Sequence, residues 1–182
     1  MTRILALSGS LRKASFNTGL LRAAVTAAPA GVTIDAHTLH GVPLYDGDAE
    51  AATGVPPAVA TLKDALATAD ALLLVTPEYN NGIPGVFKNA IDWMSRPPGG
   101  TSLFKGKPVA VIGASPGGFG TILAQDHWLP VLRTLGTRPW FEGRLMVSRA
   151  GSLFDAEGNL TDAETTKRLA EFLQGFAGSL QR

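Results

Sequence analysis

Short apolar runs alternate along this chain with longer segments whose apolar residues return every three or four positions. Ile4 to Leu7 reads as a buried strand, too short for a helix and stopped at once by Ser8-Gly9-Ser10. From Thr18 the period lengthens, placing Leu20, Leu21, Ala24, Val25 and Ala28 on one helical face. Val32 to His37 alternates apolar and polar residues, as a half-exposed edge strand does. Prolines and glycines between His40 and Pro57 mark a long loop. A helix with Val59, Leu62, Leu66 and Ala69 on one stripe follows it. Ala71 to Val75 is continuously apolar, the mark of a strand buried on both faces. Pro84 suits the first turn of a helix carrying Val86, Phe87, Ala90, Ile91 and Met94. Trp93 widens the apolar surface of that helix, and a partner subunit is its expected second cover.

The second half repeats the alternation. Pro108 to Ile112 is a third buried strand, opening into the loop Gly113 to Gly120. The helix after it is expected to bury Ile122, Leu123, Leu129, Leu132 and Leu135, with a kink at Pro130. A short strand is expected around Arg144 to Val147. Thr161 and Glu164 have capping-box spacing before Leu169, Phe172, Leu173, Phe176 and Leu180. Asp155, Glu157 and Asn159 carry oxygens, but Gly158 stands fourth where a calcium loop needs its glycine sixth, so the segment reads as a turn. Strands alternating with helices imply an α/β fold with a parallel sheet and right-handed crossovers. The three buried strands then deliver their loops, at Ser8, Thr76 and Gly113, to one rim. The expected architecture is a flavodoxin-like three-layer sandwich on a five-stranded sheet of order 2-1-3-4-5, with ligand at the switch point.

Composition narrows the chemistry. The 182 residues are 45% hydrophobic, enough for one domain spanning 1–182 with a substantial core. Sixteen Lys and Arg against fifteen Asp and Glu give a net charge of +1, which argues against nucleic acid as partner. No cysteine is present, excluding disulfides, thiolate metal sites and thiol catalysis. His37, His40 and His127 share no metal-ligand spacing, and surface or strand-edge positions suit the first two. The apolar start is too short for a signal peptide or membrane span, so a cytoplasmic location without a membrane partner is expected.

The first loop, LSGSLRKASFN, joins a strand to a helix and is rich in hydroxyls and cations. A helix N-terminus offers free N–H groups and partial positive charge to an anion. Ser10, Ser15 and Asn17 are candidate phosphate donors, and Arg12 a charge-assisted one; alternatively, Ser15 or Asn17 caps the helix and Arg12 is solvated. A P-loop is excluded because Ala14 follows Lys13, and a dinucleotide fingerprint because only Gly9 precedes Gly19. The middle loop offers Pro77 and Tyr79 as rigid or flat surfaces beside Asn80, Asn81 and Gly82. The third loop is almost all small residues, so a planar ring can approach its backbone. One phosphate site and one ring platform suit FMN better than FAD, which needs a second phosphate cradle.

On GSLRKASFN (9–17), PLYDGD (43–48), TPEYNNGIPGVFKNAIDWMSRP (76–97) and the Ser115 glycine loop, the chain resembles the NAD(P)H-dependent FMN reductases and related quinone and azo reductases. The likeness extends to Leu153–Asp162. It implies FMN as cofactor, NADPH or NADH as donor, and flavins, quinones or similar small molecules as acceptors. It implies that Ser10, Arg12, Ser15 and Asn17 hold the FMN phosphate with Phe16 beside them. Pro77, Glu78, Tyr79, Asn80 and Gly82 would line the ring, with Ser115 and Gly117 on its other edge. Glu78 reads as structural rather than catalytic. Some members are tetramers built on an Arg–Tyr–Glu network, which Ile122, Gln125 and Pro130 do not supply. A homodimer through the Pro84–Met94 helix is expected, with a tetramer as the larger alternative.

Two rival readings follow from the same residues. Gly113-Ala-Ser115-Pro-Gly117 matches the hydrolase nucleophile elbow, but the only later histidine, His127, adjoins Asp126 on one helix and cannot face it. A flavodoxin-type electron carrier is the non-enzymatic alternative; such carriers are usually acidic and lack the PEYN loop.

Overall fold

The computed structural model describes residues 1–181. Its parallel sheet runs in the order β2-β1-β3-β4-β5, with β6 also paired to β4. The strands are β1 (Thr2–Ser8), β2 (Val32–Thr38), β3 (Ala71–Val75), β4 (Pro108–Ala114), β5 (Arg138–Pro139) and β6 (Leu145–Val147). The helices are α1 (Phe16–Thr26), α2 (Gly47–Thr53), α3 (Pro57–Thr68), α4 (Gly85–Met94), α5 (Ile122–Thr134) and α6 (Ala163–Ser179). This is the flavodoxin-like α/β architecture expected from the alternation of runs.

The central strands β1, β3 and β4 are largely apolar because they are covered on both faces. Ile4 and Ala6 of β1 and Ala71, Leu73 and Val75 of β3 pack into a cluster with Leu20, Leu169, Leu173 and Phe176 from α1 and α6. The intervening Leu5, Leu7, Leu72 and Leu74 face the opposite cluster, with Leu62 and Leu66 of α3, Phe87 and Ile91 of α4, and Trp128 of α5. The period-two alternation of a strand thus feeds two cores.

Several local expectations are corrected. The stretch after His40 is not all loop: Asp46 accepts from the N–H groups of Asp48 and Ala49 and caps the seven-residue α2. Its GDAEAAT sequence has no apolar stripe to announce a helix. Trp93 needs no partner subunit as cover: its ring meets Tyr45 edge-on at 4.9 Å, and its Nε1 donates to the Pro43 carbonyl at 3.0 Å. On α5 the buried residues are Ala124, Trp128 and Leu132, whereas Ile122, Leu123 and Leu129 are exposed. Val25 likewise faces solvent. The cap of α6 is Asp162, whose side chain accepts from the Thr165 N–H; Thr161 instead donates to the Leu153 carbonyl.

The outermost strand is divided. β5 pairs Arg138 and Pro139 with Pro108 and Val109, while β6 pairs Leu145 to Val147 with Ile112 to Ala114. Six strands therefore occupy five positions. Two residues, one of them proline, are too few to leave a periodic signal.

Candidate functional site

β1, β3 and β4 lie side by side and release their loops at one rim, where the strand order reverses between β1 and β3. A small cleft of about 50 Å³, open to solvent, forms between these loops. The first loop lines it with Ser10, Arg12, Ser15, Phe16 and Asn17, the second with Pro77, Glu78 and Tyr79, and the third with Ser115 and Pro116 after Ala114. Asn80, Gly82 and Gly117 stand in the same loops but outside its lining.

The first loop is arranged to donate. Ser15 caps α1, its hydroxyl accepting from the Thr18 N–H at 3.3 Å. Ser10 Oγ accepts from the Arg12 N–H, also at 3.3 Å. Both serines are buried, and each keeps its own O–H to donate. The N–H groups of Phe16 and Asn17 open α1 and have no partner among the described residues. The Arg12 guanidinium has no partner among the described residues either. Hydroxyls, first-turn amides and an unpaired guanidinium are the donor set of a phosphate monoester. Capping and anion binding are thus compatible in Ser15.

Asn17 has a further task. Its Nδ2 donates to the Ala114 carbonyl at 2.8 Å and its Oδ1 accepts from the Ala114 N–H at 2.9 Å. This bidentate bond ties the start of α1 to the end of β4 and leaves one amide hydrogen for a ligand. Gly9 continues the sheet register, its N–H donating to the Val75 carbonyl at 2.9 Å. A Cβ at this position would stand 2.1 Å from Phe87 Cδ1. The approach of Phe87 therefore requires glycine.

In the second loop, Thr76 donates to the Pro77 carbonyl at 2.8 Å and accepts from Trp128 Nε1 at 3.2 Å. Tyr79 and Gly82 exchange both backbone bonds across Asn80 and Asn81, which adopt φ of 49° and 63°. Two adjacent left-handed residues make this a tight reverse turn, a conformation asparagine tolerates. Glu78 Oε2 accepts from the N–H groups of Leu123 and Ala124, each at 2.9 Å. The N–H groups of Glu78 and Asn80 have no partner among the described residues.

The third loop is held from β6. Ser115 donates its N–H to Val147 at 2.9 Å and Gly117 accepts from the Arg149 N–H at 3.0 Å. Ser115 Oγ accepts from the Gly117 N–H at 3.1 Å. His127 stands beside Gly82 of the other loop, its Nδ1 3.5 Å from where a Gly82 Cβ would be, and it does not bond to Ser115. Nothing here assembles a hydrolytic triad.

His40 lies exposed at the sheet edge, as expected, and from there also supports the site. His40 Nε2 donates to the Leu11 carbonyl at 3.2 Å, while Nδ1 lies 3.0 Å from Thr38 Oγ1. It steadies the first loop from the sheet edge, and donation to a carbonyl puts a proton on Nε2. Trp128 does the same for the second loop through Thr76. No sequence spacing announces either contact, since each joins segments far apart in the chain.

Residues 2–152 match the family described as NADPH-dependent FMN reductase. An NAD(P)H-dependent FMN reductase of Pseudomonas aeruginosa is 44% identical over 94% of this chain and 91% of its own. A 2-hydroxy-1,4-benzoquinone reductase of a Burkholderia species is 39% identical over 96% of this chain and 94% of its own. Among solved structures, a flavoenzyme NAD(P)H:(acceptor) oxidoreductase of Paracoccus denitrificans superposes with a TM-score of 0.84 at 37% identity, covering 100% of this chain and 98% of the other. These likenesses exclude the carrier and hydrolase readings in favour of a reductase. With its phosphate-type donor set at the switch point of the sheet, the chain belongs to the NADPH-dependent FMN reductase family and is an FMN-dependent oxidoreductase that uses NAD(P)H.

Proposed function

We propose that the cleft between the three loops is the flavin site, and that the enzyme reduces quinone-type acceptors there. The observation that carries this reading is the convergence of unspent donors on one cleft: Arg12, the two serine hydroxyls and the Phe16 and Asn17 amides. Bound there, FMN supplies the redox chemistry, taking electrons from NAD(P)H and passing them to the acceptor. Arg12, Ser10 and Ser15 hold the phosphate, and Asn17 fixes the distance between that loop and β4. Pro77 and Tyr79 give the ring a rigid wall. The free N–H groups of Glu78 and Asn80 stand ready for its polar edge, where fixed donors favour negative charge. Ser115, with Gly117 supporting it, closes the far side. No side chain in the cleft is required as an acid or base.

The quinone reductases among the relatives support this acceptor class. We read the chain as one domain acting as a homodimer in the cytoplasm. The exposed Ile122, Leu123 and Leu129 of α5 offer apolar surface for a second copy.

Mixing the FMN-loaded protein with NADPH or NADH in the absence of air should bleach the flavin absorbance, and a benzoquinone should restore it. Absence of bleaching with both donors would end the reductase reading. A shared open face would make donor and acceptor take turns, so initial rates at several quinone concentrations should give parallel double-reciprocal lines. Intersecting lines would show that both bind together.

A further inference from the structure

We propose that Glu78 is a positioning residue of the flavin site, clamping the loop that carries Pro77 and Tyr79 to the first turn of α5. A helix leaves its first N–H groups without internal partners, and a neighbouring side chain ordinarily satisfies them. At α5 the N-cap residue is Thr121, and its side chain makes no capping bond. Two of the orphaned donors, the N–H groups of Leu123 and Ala124, are taken by Glu78 Oε2 instead. Glu78 lies 45 positions before Leu123, so this cap does not close a helix locally. It ties the second loop to the first turn of the helix that follows the third.

The same loop is held a second time from α5, because Trp128 Nε1 donates to Thr76 Oγ1 and Thr76 Oγ1 donates to the Pro77 carbonyl. Trp128 is itself fixed by an edge-on contact with Phe87 at 4.9 Å. The Pro77 and Glu78 backbone is therefore pinned on both sides of the segment that lines the cleft. One anchor is an apolar side chain buried in the core; the other is a half-exposed carboxylate. Removing the second leaves the first to preserve the fold while the loop swings. The inference rests on the reading that the flavin ring lies against Pro77 and Tyr79. Under it, the clamp acts on the ring, whereas Arg12 acts on the phosphate.

Reach and charge are separable at this position. Glutamine keeps the reach, since one amide oxygen can accept both N–H bonds, but loses the charge. Aspartate keeps the charge and is one methylene short. FMN and riboflavin are titrated into flavin-free wild type, Glu78→Ala, Glu78→Asp, Glu78→Gln and Arg12→Ala, following flavin fluorescence, with amide exchange measured at Leu123 and Ala124. Ala and Asp are expected to weaken both flavins alike, by about tenfold, and Gln by no more than about twofold, with fast exchange of the two amides only in Ala and Asp. Loss in Gln with retention in Asp would overturn positioning in favour of a charge effect. Unchanged flavin affinity in Ala and Asp, with FMN alone weakened in Arg12→Ala, would also overturn it while leaving the cleft as the flavin site. If Arg12→Ala and the Glu78 variants all bind as wild type does, the site reading fails and the clamp with it. Should Glu78→Ala not fold, the Asp and Gln pair decides alone.

Discussion

Replacing Arg12 by alanine is expected to weaken FMN binding about ten- to hundredfold and to leave riboflavin binding unchanged. The magnitude follows from one charge-assisted hydrogen bond, about 1.5–3 kcal/mol, converted through the binding constant. Arg12 is the cation that lines the cleft, and its guanidinium is committed to no acid or carbonyl among the described residues. Its fork of donors therefore costs little to redirect onto a phosphate. Binding is expected to weaken rather than vanish, because the hydroxyls of Ser10 and Ser15 and the amides of Phe16 and Asn17 remain. Riboflavin has the same ring without the phosphate and isolates the contact. Fluorescence titration of both ligands into both proteins makes the comparison. Equal losses would mean that the substitution disturbs the loop and that Arg12 does not read the phosphate.

Gly9→Ala is expected to destabilise the fold by about 1–3 kcal/mol, the range for forcing atoms into a packed core. The new methyl would overlap the Phe87 ring, and Phe87 has nowhere to retreat because Trp128 meets it edge-on. Nor is the backbone free to yield, since the Gly9 N–H is bonded to Val75. Phe87→Leu alone should cost a comparable amount, about 1–3 kcal/mol, by loosening the same core. Combined, the two should cost less than their sum by about 0.5–2 kcal/mol, because the smaller side chain vacates the space the methyl needs. Urea unfolding of the four proteins gives the coupling directly. Additive losses would show that glycine stands at position 9 for some reason other than Phe87.

What the sequence reveals of this protein depends on how far apart the interacting residues lie. β1, β3 and β4 are legible because each residue of a doubly covered strand must be apolar, a condition visible locally. α3 is legible because its stripe meets a single surface. α5 is misread because its inner face is made of Ala124, Trp128 and Leu132, while the stronger leucine and isoleucine signal lies outside. α2 and β5 escape because a polar seven-residue helix and a two-residue strand carry no period. Asp162 takes the capping role from its neighbour Thr161, and both residue types serve there equally well on paper. In the cleft, hydroxyls and a cation ahead of a helix are legible as an anion site. The supports are not: Asn17 reaches Ala114 and Glu78 reaches Leu123 and Ala124, pairings fixed only by the strand order.

The divided strand at the far side of the sheet shapes how the molecule meets others of its kind. A long, flat outer strand is a template onto which a second chain can add by backbone bonding. Here the outer position holds pieces of two and three residues, and Pro139 brings no N–H. At the opposite border β2 carries Asp35 and His37, 2.9 Å apart, with Arg3 of β1 2.7 Å from the Asp35 carboxylate, so the edge strand is charged rather than apolar. Both borders discourage polymerisation. Neither border therefore offers a long bare strand from which backbone-bonded growth could start.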